Sequence, residues 1–369
     1  MSSASFDVIV VGGGVIGLAI AREAARAGMS VCLLERGETG GEATGASAGM
    51  LAAQFEAHEA GPLLSLSLQS RALYPDFVRD VEAESGLSID LRREGAIVVA
   101  LDKAARNELD RLAKAQHRLG LEVESLSRDD VRRREPAASR EVTGGIRLPH
   151  EHTLDPRLLA AALRRAAERA GAEIRTGAEV SALLARDGVV RGVRLAPGLE
   201  VRAREVVVAA GAWSGSFALP GIAAPPSEPV RGQMLCFLAP DLIRHVVASG
   251  EIYLVPRSDG RVLAGATMEK AGFERRVTGA GLARLTAAAL RLVPALADAA
   301  FHSAWAGLRP GAPDGLPAIG RAAEGLVYAC GHLRNGIVLA PITAVMVGRL
   351  LGGGSLDTAA APFDPKRFA

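Results

Sequence analysis

The chain is predicted to be an α/β protein in two parts, one on a parallel sheet with covering helices, the other an α+β unit on an antiparallel sheet. Three observations predict this. Phe6–Val11 is a short, continuous apolar run of the kind buried on both faces of a parallel sheet; a glycine-rich turn, an amphipathic helix and a second apolar run, Ser30–Leu34, follow at once. Helical and strand-like stretches then alternate through the middle of the chain, as parallel pairing requires. Later, Ile252–Pro256 and Val262–Thr267 flank Ser258-Asp259-Gly260, which signals a hairpin and so an antiparallel pair.

The first helix is expected over Leu18–Ala27, alanine-rich with Arg22, Glu23 and Arg26 on one side, and Gly28 ends it. From Thr39 to Ala53 the composition shifts to Gly, Ala, Ser and Thr. Asp76–Arg134 reads as charged and helical, interrupted by a strand at Gly95–Leu101. Asp155–Gly171 is a helix that opens on Asp-Pro and closes on Gly. Strands are expected at Glu173–Thr176, Val189–Leu195 and Glu205–Ala210, the last running into Gly211-Ala212-Trp213-Ser214. A proline-rich bend, Ala223–Val230, marks a crossing between the two parts. After the hairpin come a helix at Gly279–Leu292, the Trp305–Arg321 stretch, a strand at Leu326–Cys330 and a last helix through Gly348.

Length and composition fit two domains, with 369 residues, 49% hydrophobic and 23% charged. A net charge of +2 argues against a nucleic-acid or membrane-surface footprint. No stretch reaches the ~18 apolar residues of a membrane span, and no secretory signal precedes Phe6, so a cytoplasmic location is expected. Cys32, Cys236 and Cys330 are far apart in apolar runs and read as buried thiols. Only His150 and His152 lie close together, with no third ligand nearby, so no metal is expected.

Gly12-Gly13-Gly14-Val15-Ile16-Gly17 sits between a strand and a helix, and Glu35 closes the next strand 18 residues past Gly17. This is a Rossmann-like fingerprint. Gly12 permits the tight turn, Gly14 lets backbone approach a pyrophosphate, and Gly17 lets helix and strand pack closely. The N-terminus of that helix offers N–H groups to phosphates, and Glu35 would accept from ribose hydroxyls. The motif alone leaves NAD and FAD open. FAD is favoured by the position of the motif at the head of the chain and by the small residues of Gly40–Met50, where a flavin ring would lie against backbone. Two further strand-to-glycine segments, Val206–Gly211 and Val327–Gly336, favour it as well.

Val10–Ala21, Gly40–Met50, Trp305–Gly320 and Gly331–Pro341 together resemble the D-amino acid oxidase superfamily, and within it the glycine oxidase type of thiamine biosynthesis. The most specific elements are the Trp-Ala-Gly-Leu-Arg-Pro-Gly run at 305–311 and the Gly-His-x-Arg-Asn-Gly-Ile-x-Leu-Ala-Pro run at 331–341. The resemblance implies substrate contacts at Tyr253, Met268, Arg309 and Arg334. It implies FAD contacts at Glu35, Arg36, Ala43, Thr44, Ala48, Gly49, Met50, Val180, His332, Leu333, Arg334, Asn335, Gly336, Ile337 and Val338, beside the fingerprint residues Gly12, Gly14, Val15, Ile16 and Gly17. With Asp259-Gly260 as a two-residue turn, Tyr253 is expected to pair with Ala266 and to share a face with Met268. An arginine in the uncharged run around Arg309 suits a carboxylate, which it can grip through two parallel N–H bonds.

Sarcosine oxidases of the same superfamily tether FAD through a cysteine just before the segment matching Pro313-Asp314. Gly307–Pro313 contains none, so non-covalent FAD is expected. The reaction implied is oxidation of glycine or another small amine or D-amino acid, with hydride leaving Cα for flavin N5 and dioxygen as final acceptor, by a homo-oligomer, possibly a tetramer. Sarcosine or larger D-amino acids are the alternative substrates. An NAD-dependent dehydrogenase and a non-catalytic FAD-binding protein are the alternatives of other classes. The cofactor part is expected to be discontinuous (1–84, 143–216 and 303–369), with 85–142 and 217–302 forming the substrate part.

Overall fold

A computed structural model describes residues 5–55, 57–196, 198–250 and 252–368. In chain order the first half contains β1 (Ser5–Val11), α1 (Val15–Arg26), β2 (Val31–Leu34), the one-turn α2 (Ala43–Ala46), α3 (Pro62–Ser85), β3 (Ala96–Ala100), α4 (Lys103–Arg118), β4 (Glu124–Ser127), α5 (Arg128–Arg134), β5 (Gly144–Leu148) and α6 (Pro156–Arg169). Then follow β6 (Glu173–Arg175), β7 (Val180–Arg186), β8 (Val189–Leu195), β9 (Glu200–Val208), β10 (Glu228–Leu238), β11 (Val246–Ala248), β12 (Tyr253–Pro256) and β13 (Arg261–Gly265). The last elements are α7 (Gly279–Leu292), β14 (Ala300–Gly311), β15 (Ala318–Ala323), β16 (Leu326–Cys330) and α8 (Gly336–Leu351).

Among the described residues the strands form two eight-stranded sheets. The first runs β15-β16-β9-β1-β2-β6, parallel from β16 to β6, with β7 and β8 extending antiparallel from β9. Its apolar strands meet α1, α3, α6 and α8 on one side, where Val8, Val10, Leu18, Leu33, Leu163 and Leu339 are fully buried. Ile9, Cys32, Val193 and Tyr328 fill the other side. Residues alternate between two cores because both faces of β1 are covered.

The second sheet runs β14-β10-β13-β12-β11-β3-β5-β4 and is antiparallel except where β11 meets β3. Its strands also alternate. Leu235, Phe237, Leu254 and Ala264 face α7, while Met234, Cys236, Tyr253, Val255 and Leu263 face the other way, toward Ala48, Met50 and Phe55. The period of two therefore puts Met234 and Tyr253 on the face that meets the glycine-rich loop.

Several boundaries differ from expectation. Helix α1 starts at Val15 rather than Leu18, so the glycine turn leads into it without a linker. Helix α3 begins at Pro62, well before the expected Asp76, and runs through Pro75; proline at the first turn costs no intrahelical bond. β10 begins inside the proline-rich bend, with Pro229 opposite Pro310 near the outer end of the ladder. β5 and β14 fall largely within 143–216 and 303–369, yet both pair in the second sheet, because β5 closes a ladder with β3 and β4 and β14 lies along β10.

The hairpin register is off by one. Arg257 N–H donates to Arg261 O at 2.8 Å and Gly260 takes φ +85°, giving a three-residue loop with glycine in the left-handed position. Tyr253 therefore pairs with Gly265 and not with Ala266. None of the described helices is long and apolar enough to cross a membrane.

Candidate active site

The fingerprint turn is built by contacts that exclude side chains. Gly12 has φ +108°, and a Cβ there would lie 2.4 Å from Ala209 O; a Cβ on Gly17 would lie 1.9 Å from Gly12 O. Strand, turn and helix can pack this closely only with glycine at both positions. Glu35 at the end of β2 accepts from Gly13 N–H at 2.7 Å and Gly37 N–H at 2.8 Å. Thr44 Oγ1 accepts from Val15 N–H at 3.0 Å, which ties α2 to the first turn of α1. Arg36 lies 3.7 Å over the Trp213 ring and donates to Glu42 at 2.9 Å, stiffening the rim beside Glu35.

From this turn a single cavity of about 930 Å³ extends past the Gly40–Met50 loop to Arg309 and the start of α8. Its volume is at the upper end of small-molecule sites, as an extended dinucleotide cofactor needs. Gly12, Gly14, Val15, Ile16, Glu35, Arg36, Ala43, Thr44, Ala48, Gly49, Met50 and Val180 line one part; His332, Leu333, Arg334, Asn335, Gly336 and Ile337 line another, with Tyr253, Met268 and Arg309. Gly17 and Val338 do not line it. Gly17 packs α1 on the turn, and Val338 is buried in the core under α8.

The Arg309 end of the cavity is shaped by two more glycines. Gly232 on β10 faces Gly307 on β14, and a Cβ on Gly232 would lie 2.1 Å from Arg309 Nη1. The guanidinium thus lies across the β10 backbone, where Nη1 donates to Thr267 O at 3.1 Å. Gly265 sits between Met234 and Tyr253 in register, and a Cβ there would lie 2.1 Å from Met234 Sδ. Without that Cβ, Tyr253 OH reaches Met234 Sδ at 3.5 Å. Burial pushes the Tyr253 phenol up, opposed by the Arg309 and Arg334 charges, so it stays a neutral donor. Met268 lies beyond the end of β13, where the chain leaves strand geometry, and is 55% exposed at the rim. Gly232, Met234, Phe55 and Trp213 line the cavity too. The first two follow from the β10–β14 register, which no local signal in the sequence reveals.

Cys330 also lines the cavity, but burial pushes its thiol up to about 12 and keeps it a poor nucleophile. His332 Nε2 lies 3.1 Å from Thr343 Oγ1, and burial pulls its imidazole down to about 3, so it is neutral at pH 7. A histidine depressed from 6.5 to about 3 contributes stability that is complete above pH 6.5 and is lost as pH falls toward 3. In thermal melts from pH 6.5 to 4.5 the wild type should lose more stability than His332→Asn. Equal acid slopes would remove His332 from this role.

The residues fit FAD. The α1 N-terminus and the small-residue cradle suit an anionic, planar group, and the cavity continues from Glu35 to Arg309. The family described as DAO, FAD dependent oxidoreductase, matches residues 7–350. The chain is 35% identical over 367 residues to a glycine oxidase of Geobacillus kaustophilus, covering 98% of this chain and 97% of that one. A crystal structure of glycine oxidase from Geobacillus kaustophilus aligns with a TM-score of 0.93 at 34% identity, over 98% and 99% of the two chains. The bifunctional protein ThiO/ThiG of Synechocystis sp. is 34% identical over 371 residues, 98% of this chain and 54% of that one, so the chain spans about half its length. The protein belongs to the DAO family of FAD-dependent oxidoreductases and is an enzyme of that family.

Proposed function

We propose that the enzyme oxidises glycine, and other small amines or D-amino acids, to the 2-oxo acid, ammonia and hydrogen peroxide, with FAD bound non-covalently. We further propose that it acts in thiamine (thiazole) biosynthesis as a homo-oligomer. The observation that carries the reading is the Arg309 guanidinium, laid across Gly232 beside Tyr253 at the end of the cavity away from Glu35. FAD, when bound, supplies a two-electron acceptor for hydride at N5.

The chain's residues bind and aim the substrate. Arg309 grips the carboxylate through two N–H groups, Tyr253 donates its hydroxyl, and the Arg334 charge adds to the attraction. Holding Cα–H against the acceptor contributes several of the ~7–11 kcal/mol available from proximity and orientation. Among the residues proposed to touch substrate, Tyr253, Met268, Arg309 and Arg334, none is a base at neutral pH. The amine must therefore enter the step neutral, having shed its proton on binding. The imine product hydrolyses or passes to thiazole assembly, and dioxygen takes the electrons. The likeness to a bifunctional ThiO/ThiG protein and to a glycine oxidase supports the pathway and the substrate.

The test is turnover of glycine, sarcosine and D-proline side by side with peroxide detection. Peroxide with glycine is expected; turnover of the other two without glycine would overturn the substrate. Acid precipitation of the same protein should leave the yellow colour in the supernatant, and a yellow pellet would overturn non-covalent binding.

A further inference from the structure

Arg257, directly after β12, is 4% exposed although it carries a charge. Its Nη2 donates to Ala48 O at 2.6 Å, while Nε and Nη1 are buried without a hydrogen-bond partner among the described residues. The nearest carboxylate, Asp155, is 3.9 Å from Nε and is already engaged. It accepts from Arg261 at 2.9 Å, and its other oxygen caps α6 through Arg157 N–H at 2.8 Å. Burial pulls the guanidinium down to about 10, and it remains protonated at pH 7. A buried, half-compensated charge is expensive, and a neutral donor would serve Ala48 O as a hydrogen bond alone.

The peptide it touches forms the wall of the cavity. Leu154 N–H donates to Gly49 O at 3.0 Å and Leu51 N–H to His152 O at 2.8 Å, so the loop is stitched to residues 152–154 on the side away from the cavity. Gly49 has φ +68°, and a Cβ there would lie 1.9 Å from Leu154 O and 3.1 Å from Arg257 Nη2. The Ala48–Gly49 peptide is trans, so its N–H points opposite to the carbonyl that Arg257 holds. Among the described residues, that N–H makes no backbone hydrogen bond, and Gly49 lines the cavity.

We propose that Arg257 is a positioning residue for the cofactor, fixing the Ala48–Gly49 peptide with its N–H toward the cavity and polarising that N–H with its charge. A cation on the carbonyl draws electron density through the peptide and strengthens the donor at the far end. Such a donor favours a cofactor that gains negative charge on reduction over its oxidised form. The proposal rests on the FAD reading, and wild-type protein that neither carries nor takes up flavin would sink that reading before any variant is made.

The experiment compares holoenzymes of Arg257→Lys, Arg257→Gln and Arg257→Met by flavin midpoint potential and FAD dissociation constant. Arg257→Met is expected to lose about tenfold in affinity for reduced relative to oxidised FAD, a drop of about 30 mV for a two-electron couple. Arg257→Gln is expected to fall in the same direction and serves alone if the Met variant does not fold. Arg257→Lys, which keeps the charge, should stay near the wild type. A wild-type potential in the Gln and Met variants, with only the melting temperature lowered, would overturn the proposal. So would a Lys variant as low in potential as the neutral ones.

Discussion

Arg309→Ala should lower kcat/KM for glycine by about 30-fold to 4,000-fold while FAD content and the flavin spectrum stay as in the wild type. Removing one partner of a desolvated charge pair costs ~2–5 kcal/mol, and each 1.4 kcal/mol is tenfold. The fall should appear mainly as a raised KM. Arg309→Lys should recover little, since a single ammonium cannot make two parallel bonds to a carboxylate. Gly232→Ala gives the same prediction without touching the charge, because its Cβ would occupy the place of Arg309 Nη1. If Arg309→Ala purifies without flavin, Arg309 serves the cofactor or the fold instead.

Gly17→Ala should abolish flavin binding, with apparent FAD affinity down by at least about 100-fold. A methyl 1.9 Å from Gly12 O forces α1 away from the turn, and with it the N–H groups that the phosphates need. Gly28→Ala is the matched control. Gly28 also has positive φ, +83°, but open space surrounds it, so the substitution should cost only the ~1–2 kcal/mol of left-handed strain and keep the flavin. Titration of apoprotein with FAD, followed by quenching of flavin fluorescence, separates the two. Normal FAD uptake by Gly17→Ala would contradict the tight-turn account.

What was legible in the sequence was what neighbouring residues decide. The β1–α1–β2 unit could be read because apolar runs, glycines and an alanine-rich helix lie consecutively, and the Asp155-Pro156 start signal placed α6. The hairpin could be recognised but its register could not. One left-handed glycine, Gly260, decides between a two- and a three-residue loop and so moves every pairing by one. The Arg309 end of the cavity was opaque for another reason. Gly232, Gly265 and Met234 matter because three strands distant in sequence lie side by side, and only the ladders show which glycine faces which side chain. The resemblance supplied Tyr253 and Arg309, and the structure supplies the glycines that make room for them. Arg257 is set apart from most of the other arginines by its burial, which no local feature of the sequence marks.

The cavity takes its walls from residues as far apart in sequence as Val11 and Ile337. During synthesis the fingerprint turn emerges long before α8, yet it has no cavity to face until that helix docks, held there partly by Tyr74 OH bonding to Ile337 O. An N-terminal fragment, whether a stalled nascent chain or a proteolytic product, therefore carries the motif without the function. A ligand that recognises only the finished fold stabilises it by mass action. Flavin supply in the cell would then govern how much of this enzyme survives its own folding, and not only how much of it is active.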